Sequence, residues 1–322
     1  MTELLQYFQQ ELPNINCFLK SETDRMEGLV RDVAQHVLLA PGKRIRPVLT
    51  LLSARSLGYA SEDIYPLACS LELLHAATLI HDDILDDADL RRGRKAAHLV
   101  FGVTETVLAG DVLLALANLI GSRYGKSRIS MILADGIMAT AQGEIREIAH
   151  ISEPVASRDT YMEIIIGKTA RLIETSCRLG AAIACDDSEI EDALGNFGLN
   201  MGIAFQLVDD ALDYESPSDD TGKPEGGDLK EGKITLPLIL LLEMLEREEA
   251  EELLAGLKAM TLSEDRRSEI VGRIREKGLG QQTRQFAADY VEKAKQSLAP
   301  LPDSPEKLIL GHAADYVLTR SK

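Results

Sequence analysis

Two short stretches of this 322-residue sequence carry aspartates in the same pattern, DDxxD. The six residues are Asp82, Asp83, Asp86, Asp209, Asp210 and Asp213. Residues three and four apart share a face of a helix, so each stretch brings three carboxylates close together. Because like charges at this spacing repel and weaken a helix, a purely structural role explains the repetition poorly. Carboxylate oxygens in this arrangement suit Mg²⁺, which binds one or two carboxylates and completes its coordination with water and substrate phosphates.

Basic residues lie close to the first aspartate cluster in the sequence. Arg91, Arg92 and Arg94 follow it at once, and the upstream segment PGKRIRP adds further cations. The whole chain has a net charge of −17, which argues against nucleic acid or an anionic membrane as its main partner. An acidic protein that binds an anionic substrate needs local basic clusters or metal ions, and this sequence offers both.

Helical periodicity extends along the whole chain and must supply the elements that position these residues. Apolar residues recur at helical spacing in four long runs, Leu67–Asp87, Val103–Ile120, Ser127–Ile148 and Ala193–Glu215. The runs are rich in residues that favour helices, and no alternating strand pattern of useful length accompanies them. The sequence therefore predicts an all-α protein in which residues 1–322 form a single domain, a large helical bundle.

The remaining sequence features indicate a soluble cytoplasmic protein. The four cysteines show no metal-binding spacing and are typical of reduced thiols. The first residues lack the basic and apolar segments of a signal peptide. The longest apolar stretch, Leu67–Ile80, is interrupted by Glu72 and His75 and is too short to span a bilayer, so no stable membrane insertion is expected.

The ordered motifs of the chain resemble those of the trans-isoprenyl diphosphate synthases, the polyprenyl synthetase family. The similarity covers nearly the whole chain, and the motifs occur in the family's order. They are GKRIRP, the first DDxxD, RRG, GD at 110–111, GKT at 167–169, FQLVDD with the second DDxxD, and GKPEGGDLKEGKITLP. The resemblance implies an isoprenoid synthase type of bundle around a central active-site cavity, a homodimer, and several Mg²⁺ ions in each active site.

The resemblance also implies a reaction, the head-to-tail (1′-4) condensation of isopentenyl diphosphate with an allylic diphosphate. The allylic diphosphate ionises, the double bond of isopentenyl diphosphate attacks the cation, and a proton is lost to the departing diphosphate. Departure of the diphosphate is the costly step, so the protein must supply positioning and preorganised positive charge. The product is an all-trans polyprenyl diphosphate.

Residue roles follow from the match between these motifs and those of the family. Asp82, Asp86 and Asp209 are the leading Mg²⁺ ligands, and Asp83, Asp210 and Asp213 bind the metal or hold the residues that do. The groups that would hold the allylic diphosphate are Arg91, Lys168, Lys223 and Lys233. Thr169 and Gln206 would line the pocket of the allylic cation. The residues that match a metal-free pocket for isopentenyl diphosphate are Lys43, Arg46, His75 and Arg92.

His75 fits either a structural or a substrate-binding role. A lone histidine in an apolar helix is often a core residue whose hydrogen bonds are satisfied. His75 lies seven residues before Asp82, about two helical turns, so both residues share one face of the helix. This placement favours a role in substrate binding.

Product length should depend on the helix before Asp82. In the family, aromatic residues at the fifth and fourth positions before this aspartate block the product tunnel. Here these residues are Ala77 and Thr78, which favours a product of C20 or longer, with a floor formed deeper by Leu74, Met131 or Met138. The alternative is that Ala77 and Thr78 only allow close packing of helices. One departure from the family pattern is Glu147, where many relatives have glutamine.

Two other functions remain open from the sequence. A class I terpene cyclase also uses an aspartate-rich helix and Mg²⁺, but usually has an Asn/Ser/Glu motif in place of the second DDxxD and needs no second-substrate pocket. A non-catalytic subunit of a heteromeric prenyl synthase tends to lose aspartates or basic residues, and none is missing here.

Overall fold

The computed structural model describes residues 2–215 and 226–320, and nearly all of them form helices. The helices are α1 Thr2–Asp24, α2 Gly28–Leu38, α3 Ile45–Arg55, α4 Ile64–Leu85, α5 Ala97–Phe101, α6 Val103–Ser122, α7 Ser127–Ser152, α8 Arg158–Ile165, α9 Arg171–Ala184, α10 Ser188–Glu215, α11 Gly227–Lys230, α12 Leu236–Leu242, α13 Arg247–Lys258, α14 Glu264–Glu276, α15 Leu279–Ser297 and α16 Pro305–Leu318. A π-helical turn, Ile166–Ala170, joins α8 to α9.

A two-stranded hairpin is the β-structure found within the described residues. Strand β1 (Leu90–Arg91) pairs antiparallel with β2 (Arg94–Lys95). The turn residues Arg92 and Gly93 have φ values of 52° and 75°, which a tight hairpin turn of the I′ class requires. The basic segment RRGR is therefore a hairpin.

The chain forms two compact units that alternate along the sequence. Unit 1 comprises Met1–Ile137, Thr175–Gly195 and Pro300–His312, and unit 2 comprises Met138–Glu174, Asn196–Ala299 and Ala313–Lys322. The single domain over residues 1–322 stays a prediction.

The core of unit 1 is built around α4, which packs against α3 and α6. Leu67, Leu71 and Leu74 of α4 are fully buried, as expected for a helix that is apolar nearly all round. By length and composition α4 and α6 could each cross a membrane, but 72% of the most apolar window of α4 is buried in the protein. For α4, this burial is typical of the core helix of a globular protein.

The core of unit 2 includes α12, in which every residue from Leu236 to Leu242 is buried. Pro237 lies in the first turn of this helix, where its missing N–H leaves no hydrogen bond unmade. Helix α12 packs against α14 and α15. The segment that leads into it, EGKITLP, thereby places Lys233 beside a firmly packed element.

Candidate functional site

The first aspartate cluster lies where α4 ends in unit 1. Asp82 and Asp83 belong to the last turn of the helix, and the backbone N–H of Asp86 donates to the carbonyl oxygen of Asp82 at 2.8 Å. Asp87 then turns the chain out of the helix with a left-handed φ of 48°. The three aspartates therefore lie at the end of an apolar helix, as the sequence spacing indicates, but their environments differ.

Asp83 is buried and bound by an arginine. Arg91 Nε donates to Asp83 Oδ1 at 2.7 Å, and a second guanidinium nitrogen contacts the same oxygen. This pair fixes the hairpin against the end of α4, so Asp83 positions Arg91. Asp82 is part-exposed and Asp86 exposed, and these two carboxylates are the more accessible to a metal ion.

The GD motif has a packing role at the same helix end. A Cβ on Gly110 would lie 2.4 Å from His81 Nε2, so only glycine lets the imidazole rest against α6. His81 Nε2 also lies 3.2 Å from the carbonyl oxygen of Val107 and 3.8 Å from Asp111 Oδ1. His81 therefore attaches the aspartate-bearing turn of α4 to α6, a role that the sequence motif did not reveal.

The predicted isopentenyl diphosphate residues come together in unit 1. A Cβ on Gly42 would lie 2.7 Å from Arg92 Nη1, so the PGKRIRP loop and the hairpin turn are in direct contact. Burial lowers the pKa of Arg46 to about 10, with Glu72 opposing and Arg92 adding to the shift. Arg46 remains charged at neutral pH, and within the described part of the chain its Nε has no hydrogen-bond partner.

His75 lies in the same electropositive environment. Burial lowers its pKa well below the usual value, and the nearby cations Arg46 and Arg92 lower the pKa further. The imidazole is therefore neutral at physiological pH and can act as a hydrogen-bond donor without adding charge. Lys43 is exposed on the adjoining loop.

Arg44, which sequence reasoning did not select, is the structural centre of this loop. It is buried with a left-handed φ of 51°, and its guanidinium donates to Glu72 Oε1 at 2.7 Å and to the carbonyl oxygen of Ala40 at 3.1 Å. The carboxylate of Glu72 inside an apolar helix was the available signal, because a buried charge requires a partner. Arg44 shapes the loop that presents Lys43 and leads into α3, whose first turn carries Arg46.

The second aspartate cluster lies near the end of α10 in unit 2. Asp210 is buried and accepts hydrogen bonds from Tyr161 Oη at 2.5 Å and from Gln206 Nε2 at 2.8 Å. Burial raises the pKa of Asp210 to about 7; the charge of Asp209 adds to this shift, and the two hydrogen bonds oppose it. Asp209 is exposed, and Arg320 Nη2 lies 3.4 Å from its Oδ1.

Asp213 binds the segment that follows the undescribed residues. Its carboxylate accepts backbone hydrogen bonds from Gly227 at 3.2 Å and from Asp228 at 3.1 Å. Burial raises the pKa of Asp228 well above its usual value, and the charges of Asp210 and Asp213 raise it further. Asp228 is thus a fourth carboxylate of this cluster, a role that its place in the motif GKPEGGDLKEGKITLP did not reveal.

The π-helical turn places the predicted catalytic residues beside α10. Its backbone is in close contact with α7 and α10: a Cβ on Gly143 would lie 2.3 Å from the backbone nitrogen of Lys168, and one on Gly202 would lie 2.6 Å from Ala170 Cα. Thr169 Oγ1 donates to Gln206 Oε1 at 2.8 Å, so Thr169, Gln206 and Asp210 form one hydrogen-bonded chain. π-Helical turns within helices often occur at functional sites.

Both described lysines of the predicted allylic site are paired with carboxylates. Lys168 Nζ contacts Glu147 and lies 2.8 Å from Glu144 Oε2, and Lys233 Nζ lies 2.6 Å from Glu231 Oε2. Burial alone would lower the pKa of each lysine, but the surrounding carboxylates outweigh it and raise both values. Lys223, the third predicted lysine, lies outside the described residues.

The donor atoms of the two clusters fit Mg²⁺. Among the described residues no three His, Cys, Asp or Glu side chains form a complete metal site. Mg²⁺ commonly takes only one or two carboxylates and fills its remaining positions with water and phosphate oxygens. A part-exposed Asp82 beside an exposed Asp86, and an exposed Asp209, provide such partial sets of hard oxygen ligands.

The predicted product-length residues have different environments. Ala77 is buried, whereas Thr78 is part-exposed and its hydroxyl donates to the carbonyl oxygen of His75 at 2.9 Å. Leu74 is buried and remains a candidate for the tunnel floor. Met131 and Met138 are 53% and 55% exposed, and their place at the tunnel floor stays a prediction.

The comparison with family models decides the classification. Residues 27–274 match the model of the family described as Polyprenyl synthetase. This chain belongs to the polyprenyl synthetase family. The predicted family and the predicted enzyme class, a prenyltransferase, are both confirmed.

This polyprenyl synthetase is similar to characterised relatives over almost its full length. It is 32% identical to the octaprenyl diphosphate synthase of Escherichia coli (strain K12) over 308 residues, 95% of each chain. It is 36% identical to the geranylfarnesyl diphosphate synthase of Aeropyrum pernix over 317 residues, 95% of this chain and 97% of the relative.

The similarity extends to a solved structure. The polyprenyl synthase of Caulobacter crescentus CB15, crystallised with calcium and isoprenyl diphosphate, matches this polyprenyl synthetase with a TM-score of 0.91 and 35% identity. The match covers 100% of this chain and 98% of that one. The predicted all-α fold class, of the isoprenoid synthase type, is therefore confirmed.

Proposed function

We propose that this polyprenyl synthetase catalyses the Mg²⁺-dependent head-to-tail condensation of isopentenyl diphosphate with allylic diphosphates. The observation that supports it most is the basic pocket of unit 1, where Arg46, Arg92 and a neutral His75 lie together. A diphosphate can bind there without metal, because planar guanidinium groups engage phosphate oxygens through pairs of hydrogen bonds. A separate aspartate-rich set is then available for the second diphosphate.

The aspartate clusters and lysines are proposed to hold the allylic diphosphate. Asp82, Asp86 and Asp209 would bind Mg²⁺, which supplies Lewis-acid stabilisation of the departing diphosphate. The residues that would contact its phosphate oxygens are Arg91, Lys168, Lys223 and Lys233. The hydroxyl of Thr169 and the amide of Gln206 provide oxygen atoms that stabilise the allylic cation electrostatically. These assignments rest on the family and on the chemistry of each cluster.

The two alternatives are less well supported by the residues. A class I terpene cyclase has no use for a second, metal-free diphosphate pocket. Here Arg46, whose Nε has no hydrogen-bond partner among the described residues, would form such a pocket with the nearby Arg92. A non-catalytic subunit would be expected to have lost part of this set. The described chain retains both aspartate clusters, Lys168 and the basic pocket.

The proposed product is an all-trans chain of C20 or longer. Ala77 occupies little space on a buried face of α4, and each turn of helix that remains open extends a tunnel by about 5.4 Å, comparable with one isoprene unit. Replacing Ala77 with Phe should shorten the longest product by one or more isoprene units, as measured by chromatography of the dephosphorylated alcohols. An unchanged product length would show that Ala77 only allows helices to pack closely.

A cytoplasmic homodimer is the proposed assembly, with no nucleic-acid partner and no stable membrane insertion. Helix α7 carries exposed Met131, Met138 and Ile145 at seven-residue intervals, and α6 exposes Leu108 and Leu119. Apolar residues at heptad spacing are typical of helix faces that pair with another helix. Light scattering should give twice the 35.3 kDa chain mass, and a stable monomer at micromolar concentration would contradict the proposal.

The decisive test of function uses purified protein, Mg²⁺, labelled isopentenyl diphosphate and, separately, C5, C10, C15 and C20 allylic diphosphates. We expect a ladder of labelled products that ends at one length. Release of diphosphate with cyclic hydrocarbons and no uptake of label would indicate a cyclase instead. No turnover with any primer would favour a subunit that needs a partner chain.

A further inference from the structure

Glu147 occupies a central position among the charges of unit 2. Its carboxylate contacts Lys168 Nζ, whose second acidic partner is Glu144. The contact between Glu147 and Lys168 depends on a glycine pair, Gly143 of α7 and Gly167 of the π-helical turn. A Cβ on Gly167 would lie only 2.8 Å from Gly143 Cα, so the two backbones can approach this closely only without side chains. The backbone therefore holds Glu147 and Lys168 together firmly.

The influence of Glu147 extends to the second lysine. Burial lowers the pKa of Lys168 and of Lys233, and for both lysines Glu147 is the strongest of the neighbouring charges that raise it again. Glu147 also raises the pKa of Asp210. One carboxylate thus balances two ammonium groups that were assigned to the allylic diphosphate.

We propose that Glu147 is an internal competitor for the allylic diphosphate, a positioning residue that sets its affinity and its rate of release. The inference rests on the proposed function of Lys168 and Lys233. An ammonium group has three N–H donors, and two carboxylates already occupy Lys168. An incoming diphosphate must displace Glu147 or accept its repulsion, whereas a glutamine would donate or accept a hydrogen bond without opposing the anion.

Direct binding of inorganic diphosphate in the presence of Mg²⁺ tests the proposal without requiring turnover. Glu147→Gln should bind it about fivefold more tightly than the wild-type protein, because one nearby negative charge is removed. Glu147→Asp keeps the charge and should bind as the wild type does. Glu163→Gln, on α8 of the same unit with a side chain 66% exposed, is the matched control and should be unchanged.

Steady-state kinetics supply a readout that a merely structural role would not give. Glu147→Gln should lower KM for the allylic diphosphate while leaving KM for isopentenyl diphosphate unchanged, and slower release should lower kcat. Unchanged or weaker diphosphate binding by a folded Glu147→Gln protein would overturn the inference. If Glu147→Gln does not fold, Glu147→Asp that bound more tightly than wild type would overturn it as well.

Failure of the inference and failure of the proposed function have different outcomes. If the wild-type protein neither binds diphosphate with Mg²⁺ nor incorporates isopentenyl diphosphate, the proposed function itself is wrong. If the wild-type protein does both and Glu147→Gln behaves identically, only the role of Glu147 is wrong. An equal change in the diphosphate affinity of Glu163→Gln would show that the effect depends on the net charge of the protein and not on the position of Glu147.

Discussion

Unit 1 and unit 2 each contain a cluster of charged side chains, but positive charge dominates the cluster in unit 1 and negative charge the cluster in unit 2. In unit 1, the pKa of His75 is lowered by the charges of three arginines, Arg44, Arg46 and Arg92. Glu72 is the carboxylate that pairs with Arg44. In unit 2, carboxylates surround the lysines: Glu144 and Glu147 both contact Lys168. Under the proposed function, a diphosphate would bind the first set directly, whereas metal cations would first have to neutralise the second.

The two sets are also built on different backbone. Two of the cations of unit 1 lie on a loop and a hairpin turn, where Arg44 and Arg92 adopt left-handed φ values of 51° and 52°. Such conformations are uncommon for residues other than glycine and persist where packing enforces them. In unit 2, Lys168 lies on a π-helical turn held between helices. Each device places charged groups where a regular helix would not.

The largest effect should follow from removing a metal ligand. We expect Asp82→Asn to lower kcat by on the order of 10³-fold, because the departing diphosphate loses metal-based electrostatic stabilisation. Uptake of labelled isopentenyl diphosphate measures the effect. Asp186→Asn is the matched control, since this residue belongs to an acidic pair without a third aspartate and its side chain is 92% exposed. Activity of Asp82→Asn within tenfold of wild type would refute the assignment.

Chelation should separate the two diphosphate sites. When EDTA replaces Mg²⁺, a non-ionising allylic diphosphate analogue should bind on the order of 10²-fold more weakly, because unneutralised carboxylates repel it. Isopentenyl diphosphate should bind within about threefold of its affinity in Mg²⁺, because guanidinium groups supply its counter-charge. Calorimetry at constant ionic strength measures both, and equal losses would show that the two sites do not differ in metal dependence.

A smaller effect is expected within the basic pocket. Arg46→Gln should raise KM for isopentenyl diphosphate by about tenfold or more, the value of one charge-assisted hydrogen bond, and leave KM for the allylic substrate unchanged. Arg94→Gln, on the exposed strand β2 of the hairpin that carries Arg92, should change neither constant. If Arg46→Gln instead altered the allylic KM, Arg46 would have been assigned to the wrong diphosphate.

The sequence predicted the helices and the aspartate spacing well, because both depend on local periodicity. It could not predict that Asp83 would be bound by Arg91 or Asp210 by Tyr161, because these pairings depend on how separate elements pack. The four long helical runs all correspond to helices, namely α4, α6, α7 and α10. Each helix extends beyond the predicted run at one end, and α4 ends at Leu85, before the predicted end at Asp87.

Two further features could not be predicted from the sequence, for a different reason. The π-helical turn at Lys168 is a departure from helical periodicity, and its cause, close backbone contact at Gly143 and Gly202, involves residues distant in the chain. Arg44 lies between Lys43 and Arg46 in a basic run, and only its left-handed backbone turns its side chain toward Glu72 instead of the pocket.

The buried carboxylate of Asp210 should lower the stability of the folded protein at neutral and alkaline pH. Asp210 has a pKa of about 7 in the folded protein, raised by burial, against an ordinary value of 3.8. Between these values the folded protein binds more protons than the unfolded chain, so this carboxyl makes the metal-free protein less stable as the pH rises. In EDTA at pH 8, Asp210→Asn should therefore be more stable than wild type by up to about 4 kcal/mol, because the folded-state pKa lies about 3 above its ordinary value. At pH 4 the two should be equally stable, since wild-type Asp210 is then protonated in the folded state.

Thermal unfolding of both proteins across this range measures the difference, and a pH-independent difference would mean that the buried carboxyl does not titrate as its environment indicates. An inactive Asp210→Asn that is nevertheless stabilised at pH 8 would show that unit 2 keeps a destabilising charge for the sake of catalysis, the opposite of the self-neutralised pair formed by Arg44 and Glu72 in unit 1.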